Sequence, residues 1–167
     1  MGMTELLKRA ETGDLAALWD LILEAYHNCD DPKVLLKAVQ TVDEFEIADE
    51  PNLLLHMAFV LRKGGYLASA DEVLEDLIEA EYPPAMCTLA GMHLAREFID
   101  HDEAYAYELL DRAILRGSLR ARDVRGTFRW LRAVGLRKVI LFFPAWYWSF
   151  RYKFAVNVRG RKDDTIR

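Results

Sequence analysis

Cysteine is scarce: Cys29 and Cys87 are the only two in 167 residues. Two are too few for a disulfide framework, so the chain reads as one with reduced, partly buried thiols. Glycine and proline are also sparse, at 9 and 5, and no stretch alternates polar and apolar residues between turn signals, which speaks against a sheet. The N-terminus, Met1-Gly-Met-Thr-Glu5, has neither the charged nor the apolar region of a signal peptide. It also fails the myristoylation pattern, which needs Ser or Thr where Leu6 stands. A cytoplasmic protein is expected on these grounds. No apolar run approaches the about 20 residues that a spanning helix requires.

Catalytic signatures are missing too. There is no Gly-rich phosphate loop, no His-Glu-x-x-His and no Gly-x-Ser-x-Gly. Lys63-Gly64-Gly65 lacks P-loop spacing and reads as a helix stop. His27, His56, His93 and His101 are scattered, and His27 with Cys29 has no second pair at zinc spacing. Glu75 and Glu79 share a helix face and read as solvated. The expectation is a non-enzyme without a cofactor or metal.

What is present is helical periodicity. Leu15, Leu18, Trp19, Ile22 and Tyr26 mark one helix face after Asp14, a natural N-cap. Asp30-Asp31-Pro32 opens a second helix through Val34, Leu35, Ala38 and Val42. After an acidic connector (Asp43, Glu44, Glu46, Asp49, Glu50), Leu53–Leu61 forms a third. Ser69-Ala-Asp-Glu72 reads as a capping box for a fourth, buried through Val73, Leu74, Leu77 and Ile78. Pro83-Pro84 starts a fifth, residues Asp100–Arg116 form a sixth ended by Gly117, and Ser118–Val134 a seventh.

Ala17, Leu53, Ala85 and Ala121 begin similar helices at separations of 36, 32 and 36 residues. The position five later is Ile22, Ala58, Ala90 or Gly126, small in three cases, which allows close helix approach. A period near 34 residues indicates stacked helix hairpins. The segment Asp102-x-x-x-Ala106-x-x-Leu109-x-x-x-Ala113-x-x-x-Gly117-x-x-x-Ala121 resembles the second helix and linking turn of a Sel-one-like repeat, a relative of the tetratricopeptide repeat. Ala85-x-x-x-Leu89-Ala90 resembles its first helix. The resemblance spans residues 5–126 and is closest over 85–126; Ile22 departs from it. It implies an all-α superhelix, a solenoid of antiparallel hairpins that scaffolds protein complexes and carries no catalytic residues. Ala58, Ala85, Leu89, Ala90, Ala106, Ala113, Gly117 and Ala121 are then its packing positions. The expected organisation is a repeat array over 1–134, a C-terminal segment over 135–160 and a frayed tail over 161–167.

The C-terminal segment is unusual. From Val139 to Phe150 only Pro144 and Ser149 are not apolar or aromatic, and Arg137, Lys138, Arg151 and Lys153 flank the run. Just before it, Arg122, Arg125, Arg129 and Arg132 recur along one side of the seventh helix, with Val124, Phe128, Leu131 and Val134 towards the other. Charge follows the same division. Residues 1–110 carry 7 Lys and Arg against 23 Asp and Glu, a net −16, and residues 111–167 carry 15 against 4, a net +11. A basic, aromatic end on an acidic body suits an anionic partner.

Three occupants fit that description. Anionic lipid would take Phe142, Phe143, Trp146 and Trp148 at headgroup depth, with the arginines and Lys138 as its electrostatic contacts. Nucleic acid is disfavoured, because residues 139–150 contain no charge among their aromatics. A dry contact would bury the run in the protein's own core, against a membrane protein, or against a second copy in a homodimer. The expected function is a scaffold whose body binds a protein or peptide and whose C-terminus holds the inner face of a membrane or a membrane protein. The alternative is a soluble repeat protein whose C-terminus is a core cap or dimer interface.

Overall fold

Helix starts and stops account for most of the architecture in the computed structural model, which describes residues 3–43, 45, 50–98 and 100–159. Nine helices occur among them: α1 (Met3–Ala10), α2 (Leu15–Asn28), α3 (Pro32–Asp43), α4 (Pro51–Lys63), α5 (Leu67–Glu79), α6 (Pro83–Leu94), α7 (Glu103–Leu115), α8 (Leu119–Arg132) and α9 (Leu136–Arg159). The fold class is all-α, as expected. Asp14 accepts from the Ala16 amide at 3.2 Å, and Asp31 accepts from the Lys33 amide at 3.0 Å. Each satisfies one of the amides that a helix leaves free in its first turn. Proline stands in the first turn of α4 and α6, where its missing N–H costs nothing.

Two details differ from the sequence expectation. α5 begins at Leu67, with the Ala70 amide already bonded to the Tyr66 carbonyl at 3.0 Å, so Ser69 lies inside the first turn and is not the N-cap. α7 begins at Glu103 after the cap Asp102, whose carboxylate accepts from Ala104 and Tyr105 at 2.8 and 3.0 Å. The expected Asp100 start was three residues early. Helix α1 is additional: Met3, Leu6, Leu7 and Ala10 give it apolar character, and Leu6 and Ala10 are buried. Most of the acidic connector (Glu44, Glu46, Asp49) and the 161–167 tail lie outside the described residues.

The chain divides into two compact units, Met1–Leu77 and Ile78–Arg167. In the first, α2 packs against α1, α3 and α4, and Leu18, Leu21, Ile22, Leu35, Leu53 and Met57 form the core, with Trp19 and Tyr66 at its edge. In the second, α6 packs against α7 and α8, α7 against α8, and α8 against α9. Helix α6 is buried almost throughout, including Ala85, Leu89 and Ala90, as befits a helix apolar on every side. Ala106, Leu109, Leu110 and Ala113 of α7 and Ala121 of α8 are buried with it. The residues 136–159 therefore belong to the second unit, and the 134/135 boundary falls between two helices that pack together.

A register emerges from the helix starts. Ala17, Leu53, Ala85 and Ala121 are each the third residue of α2, α4, α6 and α8, and all four are fully buried. Four residues on, Leu21, Met57 and Leu89 are buried as well, as are Ile22, Ala58 and Ala90 at the next position. The 36-, 32- and 36-residue spacing is thus a spacing of equivalent buried positions.

Candidate functional site

Helices α8 and α9 carry the basic and aromatic residues that set this chain apart. Gly117 closes α7 at φ +87°, a backbone conformation that suits a residue without Cβ. Ser118 then caps α8: its Oγ accepts from the Ala121 amide at 3.1 Å, and Cys87 Sγ lies 3.5 Å from the same oxygen. This turn fixes the rotation of α8, and with it the direction of the arginine row.

Gly126 sets how α9 lies on α8. A Cβ at this position would stand 3.2 Å from Ala145 Cα and 3.6 Å from its Cβ. Glycine on one helix and alanine on the other bring the backbones close. Asp123 adds a polar tie, bonding Ser149 of α9 and Thr127 of its own helix; burial raises its pKa, and those two bonds with Lys153 and Arg120 oppose the shift. Pro144 sits inside α9, and the ladder continues past it despite the lost N–H.

The arginine row divides into two pairs. Arg125 pairs with Asp111, and Arg132 pairs with Glu103 while also donating to the Leu94 carbonyl at 3.3 Å. These two hold α8 to its neighbours. Arg122 and Arg129 have no carboxylate partner among the described residues. Both line a cleft of about 310 Å³, together with Arg125 and the apolar side chains Ile114, Leu141, Pro144 and Trp148. The Arg122 guanidinium lies over the Trp148 ring, 4.5 Å from its centroid, which holds a long side chain in one place. Arg125 Nε is buried without a hydrogen-bond partner among the described residues.

The outer face of α9 has a different character. Val139, Phe143, Trp146 and Phe150 follow i, i+4, i+7, i+11 and are 60%, 66%, 58% and 56% exposed. Trp146 stacks on Phe150 and Phe150 on Phe154, with centroids 5.9 and 6.1 Å apart. Leu136, Ile140 and Tyr147 extend the exposed surface. Arg151 borders it, reaching the Tyr147 hydroxyl at 3.3 Å. Arg137 and Lys138 are exposed in the first turn of α9, and Lys138 Nζ lies 5.3 Å from the Trp130 centroid.

The four expected aromatic anchors therefore separate. Phe143 and Trp146 belong to the exposed stripe. Phe142 packs edge-on to Trp130 at 6.0 Å, and Trp148 is half-buried in the cleft. Val139, Phe150 and Phe154 were not singled out from sequence, although their spacing with Phe143 and Trp146 is a helical stripe that could have revealed them. Ile114 of α7 also lines the cleft.

The histidines have local roles. His56 lies between Trp19 and Phe59 at 5.3 and 5.7 Å. His93 Nδ1 accepts from the Asp102 amide at 3.1 Å and contacts Phe98 and Tyr105. Among the described residues no group of three or more His, Cys, Asp or Glu could hold a metal ion, and no helix is long and apolar enough to cross a membrane. Compared with protein-family models, curated proteins and solved structures, the chain matches none.

Proposed function

We infer that this protein is a non-catalytic adaptor that attaches peripherally to an anionic membrane surface through α9, leaving its helical body to bind a protein or peptide. The observation that carries this is the exposed stripe Val139-Phe143-Trp146-Phe150. A helix of 24 residues is about 36 Å long at 1.5 Å per residue, enough to lie along a surface with several rings at headgroup depth. Exposed aromatics at this density normally mark a binding surface.

Charge supports the same reading. Cations in the first turn of a helix oppose its dipole, so Arg137 and Lys138 are placed at some cost to α9. An anionic surface turns that cost into attraction, at about 1 kcal/mol per basic residue. Half-exposed Phe143, Trp146 and Phe150 would each add about 1 kcal/mol on insertion, from the about 1.5–3 kcal/mol of a fully transferred side chain.

For the body, the proposal is a Sel-one-like or tetratricopeptide-type solenoid. It is supported by the third-residue register of α2, α4, α6 and α8 and by the contacts of α2 with α3 and α4, and of α6 with α7 and α8. Co-sedimentation of the full chain with anionic and neutral vesicles tests the attachment. Binding to anionic vesicles that weakens with salt is expected. A chain that ignores lipid and doubles its mass in light scattering would instead use the stripe to pair with a second copy.

A further inference from the structure

We propose that the cleft between α8 and α9 is a binding site for a small soluble phosphate monoester with an apolar body. With Asp111 pairing Arg125, the guanidiniums of Arg122 and Arg129 are left with no carboxylate partner among the described residues, and both line one cavity. Guanidiniums without carboxylate partners on partly apolar walls favour an anion in the cavity they line. Two guanidiniums suit a phosphate monoester, which carries about −1.5 to −2 at pH 7 and accepts paired N–H bonds. A lone carboxylate would leave one arginine unmatched.

The remaining walls choose among phosphates. Leu141, Pro144 and Ile114 offer apolar contact, so an organic ester gains where inorganic phosphate does not. The volume, about 310 Å³, lies at the lower end of the range of small-ligand pockets. The Arg122–Trp148 stack fixes one guanidinium before the ligand arrives, which limits the entropy lost on binding.

The site is independent of membrane attachment. Leu141 and Trp148 stand one turn either side of Ala145, the residue that meets Gly126, so the cleft is on the α8-facing side of α9 and the stripe on the opposite side. A lipid headgroup held by the stripe would not reach it.

The test is titration of the full chain with phenyl phosphate, followed by calorimetry and tryptophan fluorescence, with sodium chloride matching the ionic strength. Saturable binding is expected, stronger than that of inorganic phosphate and absent for benzyl alcohol. Arg129→Gln alters an exposed side chain and should weaken binding about tenfold or more while the helical circular dichroism is unchanged. Arg122→Gln should do the same, Lys33→Gln on α3 should not, and Trp146→Ser/Phe150→Ser should retain full affinity. The proposal is overturned by non-saturable binding at matched ionic strength, or by a folded Arg129→Gln protein that binds as tightly as wild type. It also falls if phenyl phosphate does not bind while Arg129→Gln reduces attachment to phosphatidate vesicles, which would make the cleft a headgroup site.

Discussion

Replacing Trp146 and Phe150 together with serine separates a membrane-facing stripe from a core cap. Both rings are more than half exposed in the free protein, at 58% and 56%, so their removal empties no core. The apolar area still to be buried is about half of each side chain, giving roughly 0.75–1.5 kcal/mol apiece against the about 1.5–3 kcal/mol of full transfer. Loss of the two rings should therefore weaken partitioning by about 1.5–3 kcal/mol, roughly 10- to 150-fold at 1.4 kcal/mol per decade. The assay is flotation or sedimentation with vesicles rich in an anionic lipid, read across a lipid titration, with urea denaturation run in parallel. The wild type should also show a blue shift in tryptophan emission on binding, reduced in the double variant. Unchanged partitioning would refute the assignment of the stripe to lipid. A fall of several kcal/mol in unfolding free energy would show instead that these rings are covered in solution and contribute to a packed interface.

Three further outcomes test the architecture beneath the site. Gly126→Leu should destabilise by about 1–3 kcal/mol in chemical denaturation, because the new side chain meets Ala145 backbone at 3.2 Å; an unchanged midpoint would mean the two helices can separate freely. Ser118→Ala should cost about 1 kcal/mol through the lost cap on the Ala121 amide, and stability equal to wild type would rule that cap out. Asp123→Asn keeps an oxygen acceptor for Ser149 but has no charge to desolvate. Since burial raises the Asp123 pKa, its folded form binds the proton more tightly, and wild-type stability falls as pH rises from the unfolded value through the folded one. The variant should gain on the wild type across that interval and keep the gain at neutral pH; a difference in unfolding free energy independent of pH would refute the burial effect.

Local chemistry made much of this chain legible. Asp14, Asp31 and Ser118 lie where helices begin because their side chains satisfy amides within two or three residues, a short-range effect visible in a sequence window. Helix α1 precedes the first helix face read from the sequence and is only eight residues long; its burial depends on neighbours that a local window does not contain. Ser69 shows the opposite failure. The Ser-x-x-Glu pattern is a good cap, yet Tyr66 ends the preceding turn in a position to start α5 earlier, and the helix takes the longer span.

The arginine row shows the limit most clearly. Its spacing placed Arg122, Arg125, Arg129 and Arg132 on one side of α8, as helix geometry requires. Which of them would be neutralised depended on Asp111 and Glu103, 14 and 29 residues away. The aromatic run behaves likewise, since composition supplied Phe142, Phe143, Trp146 and Trp148, but the Gly126–Ala145 approach decided which face of α9 turned inward. The sequence by itself determined an all-α chain, the starts and stops of most of its helices within a few residues, and a basic aromatic end. Only tertiary structure divided that end into an exposed apolar stripe and an arginine-lined cleft. The reason is physical: periodicity and capping act over one or two turns, whereas charge neutralisation and the choice of buried face arise when helices distant in sequence come into contact.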